Sequence, residues 1–95
     1  MKIAFDPAKS ERNRRERGLP FDRAADFDWE TALYYLDVRK PYPERRVLAL
    51  GYIDDRLHVI CFTEIPDGVR IISFRKANER EVRRHAQETA DRRQR

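Results

Sequence analysis

Arginine is the residue with which this chain can do most chemistry. Of the 21 lysines and arginines 17 are arginine, set against 17 acids, and the 95 residues carry a net charge of +4. A guanidinium is a planar fork of donors that keeps its charge at any relevant pH and meets a phosphate or carboxylate two-on-two. RNA, DNA or an acidic protein is therefore the natural partner. A heavily charged, solvated surface explains the same composition, and composition alone leaves both readings open. Arg46, Arg70 and Arg75 stand out because they belong to β-rich stretches far apart in the chain, and a folded sheet can gather positions that are distant in sequence. Proton carriers are scarcer: His58, His85, Glu64 and Glu81. His85 follows Glu81 by four residues, a helical spacing at which a carboxylate can raise an imidazole pKa; a surface His-Glu pair is the plainer reading. His58, inside an apolar run, reads as packing. The histidines, the single cysteine and the scattered carboxylates show no metal-ligand spacing. Gly18, Gly51 and Gly68 stand alone rather than in a phosphate loop, so neither metal nor cofactor is expected.

The elements that must position these groups follow from hydrophobic period and turn chemistry. A short strand over residues 2–5 ends at Asp6-Pro7, an N-cap and first helical residue, and a charged helix over 8–17 closes at Gly18. Phe21, Ala24, Ala25 and Phe27 suggest a short second helix. Strands are expected over residues 33–38, 47–53, 57–62 and 69–74. Asp54-Asp55 and Pro66-Asp67-Gly68 turn the last three into an antiparallel meander. Residues 39–45, with Pro41 and Pro43, form a mobile connector beside the sheet. Asn78 and Glu81 make a capping box for a final helix reaching about Arg93, whose apolar stripe is only Val82, Ala86 and Ala90 and holds it weakly. Within the fourth of these runs Arg70 and Arg75 should face opposite sides unless a bulge intervenes. The expected fold is one α+β domain over residues 1–95, β-α-α-β-β-β-β-α, with helices against a mainly antiparallel sheet. The lone Cys61 reads as a small buried hydrophobe suited to a reducing cytoplasm. No apolar run reaches the length of a membrane span, and no signal peptide is visible.

Phe5-Asp6-Pro7-Ala8-Lys9, followed by Asn13, Gly18, Phe21 and Ala24, resembles the amino-terminal signature of the BrnT family. Arg46 to Gly51, Arg56-Leu57, Thr63-Glu64, and Arg70-Ile71-Ile72-Ser73 with Arg75, Ala77, Glu79 and Glu81 are similar to its strand and last-helix pattern. The resemblance runs from about Ile3 to His85. It departs from the family's usual pattern at Glu16-Arg17, where Lys-His is usual, and at His85, where tyrosine is common.

The resemblance implies a type II toxin of RelE/ParE-like fold, an endoribonuclease neutralised by a ribbon-helix-helix (BrnA-like) antitoxin. Operator DNA would be met only through that antitoxin, in a hetero-oligomeric complex, with no membrane involved. Metal-free RNA cleavage needs a base for the 2′-hydroxyl proton, cations for the phosphorane charge and an acid for the leaving oxygen. Arg75, Arg46 and Arg70 are the candidate cations, with Arg75 preferred at the scissile phosphate. Glu64, Glu81 and His85 are the candidate proton carriers, and Lys9, Lys76, Arg45, Arg83 and Arg84 the candidate RNA contacts. An antitoxin- or RNA-binding module of the same fold that does not cut is the alternative.

Overall fold

The computed structural model describes residues 1–93. Its elements are β1 (Lys2–Ala4), α1 (Pro7–Arg17), a 3-10 helix (Phe21–Asp26), β2 (Leu33–Leu36), β3 (Val47–Ile53), β4 (Arg56–Ile65), β5 (Gly68–Lys76) and α2 (Glu79–Arg93). The Asp6 side chain accepts the Ala8 N–H at 2.9 Å, Pro7 opens α1, and Gly18 closes it at φ +69°, donating its N–H to the Arg14 carbonyl. An L side chain is strained at that φ, which is why glycine terminates the helix there.

The five strands form one sheet in the order β1-β5-β4-β3-β2. The pairings β2–β3, β3–β4 and β4–β5 are antiparallel and β1–β5 is parallel, so the sheet is mixed: the expected meander plus one parallel edge strand. Asp54, at φ +54°, turns β3 into β4 beneath the closing pair Ile53–Arg56.

A strand shows one face with every second residue, and residues opposite each other in register share a face. Val47, Ala49, Ile53, Ile60, Phe62, Val69, Ile71 and Phe74 pack with Leu19, Phe21, Ala24 and Phe27, which makes one face the main core beneath the 3-10 helix. α1 has almost no apolar stripe and is tied in by buried polar groups instead. Ser10 Oγ accepts the Phe21 N–H at 2.7 Å, and Asn13 Nδ2 donates to the carbonyls of Leu19 (2.6 Å) and Phe74 (2.9 Å). β1 ends at its pairing with Arg70, so the Phe74 carbonyl lies on an uncovered stretch of β5 and takes its donors from Asn13 and Arg17.

The opposite face carries a smaller apolar cluster, Leu50, Leu57, Val59 and Ala77, with Tyr35 and Leu48 against it. α2 lies over this end, but not on the stripe its sequence suggested. Val82, Ala86 and Ala90 are exposed, and the inward positions are Glu81, His85, Glu88 and Thr89. The reason is chemical. Glu81 meets Arg75, Glu88 accepts from the Tyr35 hydroxyl, His85 stands edge-on to Tyr52 at 5.5 Å, and Arg84 stacks over the Tyr35 ring at 4.3 Å. Three alanine-sized or β-branched side chains offer less than these pairings, so the helix turns its polar side inward. The capping box forms as expected: Glu81 accepts the Asn78 N–H, and Asn78 accepts the Glu81 N–H, both at 2.9 Å.

Candidate active site

The part of the second face that α2 leaves open holds the arginines. The register of β5 on β4 shifts between Cys61 and Phe62: Ser73 opposes Cys61 and Ile71 opposes Phe62, so Ile72 is an extra residue. This bulge cancels the parity argument. Ile71 and Phe74, three apart, both enter the main core, and Arg70, Ser73 and Arg75 therefore share the open face. Four regular steps still separate Arg70 from Arg75, roughly 13 Å along the strand, so one phosphate cannot bridge them.

At the α2 end, Arg75 binds Glu81 through both terminal nitrogens, at 2.7 and 2.8 Å. This fork-to-fork pair lowers the Glu81 carboxyl pKa and raises that of Arg75, against partial burial and, for Arg75, the like charge of Arg39. At the centre, the side chain of Asp37 is fully buried. Its oxygens take the Arg39 Nε at 2.9 Å, an Arg39 terminal nitrogen at 2.8 Å and the Arg39 N–H at 3.2 Å. Cys61 Sγ approaches the same carboxylate at 4.0 Å, and burial pushes its thiol pKa up, so Cys61 is an inert neighbour. At the far end, Glu44 lies between Arg70 (3.2 Å) and Arg46 (3.6 Å), and Arg46 sits 4.1 Å over the Tyr42 ring. The Nε of Arg46 is buried and has no hydrogen-bond partner among the described residues. Lys9 shares a cavity of about 250 Å³ with Glu44, Arg46 and Arg70.

The connector between β2 and β3 is thus fastened to the site. Asp37, Arg39, Tyr42 and Glu44 all belong to it or to its β2 side, and none was singled out from sequence. The available signal was the Asp37-x-Arg39 spacing just before the prolines: a buried carboxylate needs a cation within reach. Other expectations are corrected. Glu64 opposes Val69, a core residue, so it turns to the helix-covered side, where Arg45 approaches it at 3.9 Å. Arg70, on the other face, pairs with Glu44. Lys76 opposes His58 on that same covered side, lining a cavity with Arg17 and Arg23. Glu81 and His85 do not form the expected pair, because Arg75 takes the carboxylate. Burial against Tyr52 lowers the His85 pKa instead of raising it. Arg83 lies near Glu79 at 3.8 Å, and Arg84 is committed to Glu88 and Tyr35. His58 is buried on the Phe74 ring, as a packing residue should be. Among the described residues no group of three or more metal-ligating side chains comes together, and no helix is long and apolar enough to cross a membrane.

Asp37 gives the site an acid limit. The Arg39 bonds hold its carboxyl far below the ordinary value near 3.8, the usual value of an unfolded chain. A group whose pKa is depressed by folding contributes stability that is complete above the unfolded value and is lost as pH falls through and below it. Urea midpoints of the native chain are expected to fall between about pH 5 and pH 3, and Asp37→Asn to flatten that slope. An unchanged slope in the variant would remove Asp37 as its source.

A family model described as "Ribonuclease toxin, BrnT, of type II toxin-antitoxin system" matches residues 5–81. No curated protein and no solved structure matches the chain.

Proposed function

This chain belongs to the BrnT family of ribonuclease toxins of type II toxin-antitoxin systems, and from that premise we propose that it cuts RNA without a metal on the open face of its sheet. The observation that carries this reading is the gathering of Arg39 and Arg46 from the β2–β3 connector with Arg70 and Arg75 from β5, on one face beside Glu81. RNA is held by these guanidiniums and by Lys9, with the scissile phosphate at Arg75. Binding sets phosphate and Glu81 in competition for one guanidinium. When Arg75 turns to the phosphate, Glu81 loses the contact that depresses its pKa and becomes a better base. It takes the 2′-hydroxyl proton, the 2′-oxygen attacks phosphorus, Arg75 and Arg39 hold the developing charge, and the 5′-oxygen leaves with a proton from solvent. His85, neutral and packed on Tyr52, holds α2 in place rather than carrying a proton.

A type II toxin of this kind has a protein antitoxin as partner and RNA as substrate. The antitoxin is proposed to be of the ribbon-helix-helix, BrnA-like type, meeting operator DNA on the toxin's behalf in a cytoplasmic hetero-oligomer. Its acidic side chains would compete for the same arginines. One observation favours the alternative, a module that binds without cutting: Arg39, Arg46, Arg70 and Arg75 each already have a carboxylate beside them. A single assay separates the two. Chain freed of antitoxin is expected to cleave RNA in excess EDTA, leaving 2′,3′-cyclic phosphate and 5′-hydroxyl ends. Cleavage lost on chelation and restored by a divalent ion would end the metal-free mechanism. RNA bound but intact, with or without metal, would establish the binding module.

A further inference from the structure

β2 is the last strand of the sheet, hydrogen-bonded only to β3. The Asp37 N–H donates to the Arg46 carbonyl, which sets the alternation along the strand. The peptide groups of Leu33 and Tyr35 point to β3, and those of Tyr34 and Leu36 point outward. Among the described residues these outward groups have no backbone partner. The same stretch also exposes large apolar side chains: Tyr34 is 44 %, Leu36 54 % and Val38 75 % exposed. Edges of this kind are commonly guarded by lysine, proline or a bulge. The Leu-Tyr-Tyr-Leu of β2 has none, and Lys40 and Pro41 come only after it. The two ends of the edge carry opposite charge, with exposed Asp28 and Glu30 before it and exposed Arg39 and Lys40 after it.

We propose that this edge pairs with the same edge of a second copy of the chain, antiparallel about a twofold axis through Tyr35. In that register Tyr34 of each copy lies opposite Leu36 of the other, and both outward residues are satisfied, with about four N–H to carbonyl bonds across the axis. Val38 falls opposite Ala32. Glu30 falls opposite Lys40, and Thr31 opposite Arg39. A segment acidic at one end and basic at the other complements itself when reversed, and this selects a second copy over a uniformly acidic strand. The sheet becomes continuous across both copies, and the axis lies at the edge remote from β5, so Arg70 and Arg75 stay accessible. So few bonds make a weak dimer, seen only at high concentration.

The test is sedimentation equilibrium of the antitoxin-free chain from about 5 μM to about 500 μM at about 0.15 M salt, where repulsion between two +4 chains is screened. A monomer–dimer equilibrium is expected. Leu36→Lys should weaken it about tenfold or more, since the axis uses that residue twice, with RNA cleavage unchanged. If Leu36→Lys does not fold by circular dichroism, Val38→Lys, outside the strand, takes its place with the same expectation. Glu30→Lys and Lys40→Glu should each weaken the dimer several-fold, and both together in one chain should restore it. A chain monomeric throughout the range would overturn the proposal, as would a dimer that these changes leave unmoved. A monomer that loses antitoxin binding with Leu36→Lys would assign the edge to an antitoxin strand and overturn it equally.

Discussion

Arg75→Ala is expected to lower RNA cleavage about 100- to 1000-fold and to abolish growth arrest, because an aimed cation at the reacting phosphate contributes about 3 to 4 kcal/mol of transition-state stabilisation. Arg15→Ala, which removes an equal charge from the exposed side of α1, should change cleavage by less than about threefold. Losing Arg75 also frees Glu81, so the fold must be checked separately. Glu81 still accepts the Asn78 N–H in the variant, and the capping box should preserve α2. The thermal transition is therefore expected to move little. Equal residual cleavage in the Arg75 and Arg15 variants would show that the phosphate is held elsewhere. Loss of cleavage together with loss of the folded signal would instead make Arg75 a structural residue.

The largest stability effect is expected at Phe74. It is fully buried in the second half of β5, edge-on to His58, and packed among Ile60, Phe62 and Ile71. Phe74→Ala removes a ring from a closed core and should cost about 3 to 5 kcal/mol. A chain of this size has about 5 to 14 kcal/mol in total, so the variant is expected to unfold at markedly lower urea. Val82→Ala provides the contrast. Val82 is an apolar residue on a helix, yet it is 42 % exposed, and its loss should cost less than about 0.5 kcal/mol. Similar costs for the two would mean that α2 packs through Val82 after all and that its inward stripe is misassigned.

Local chemistry was legible from the residues alone. Asp6-Pro7 and Gly18 bound α1, Asn78 and Glu81 cap α2, and Asp54-Asp55 turns β3 into β4, since each depends on groups a few residues apart. The arginine excess pointed to phosphate, and the order of motifs pointed to the family that matches residues 5–81. Sequence by itself thus determined the elements, most of their order and the class of partner. What it could not determine was which side chains share a face. One extra residue, Ile72, reverses the parity of everything beyond it and brings Arg75 to the side of Arg70, although both strand halves look regular in sequence. Glu64 and Lys76 were lost from the site by the same alternation. α2 turned away from its apolar stripe because Arg75, Tyr52 and Tyr35 offered partners to Glu81, His85 and Glu88 that only the folded sheet assembles. Asp37 and Arg39 entered because a buried carboxylate must be paired, and burial is a property of the tertiary fold. Residue types and near neighbours set the local structure; register, bulge and burial are long-range outcomes, and these alone decided where the charges meet.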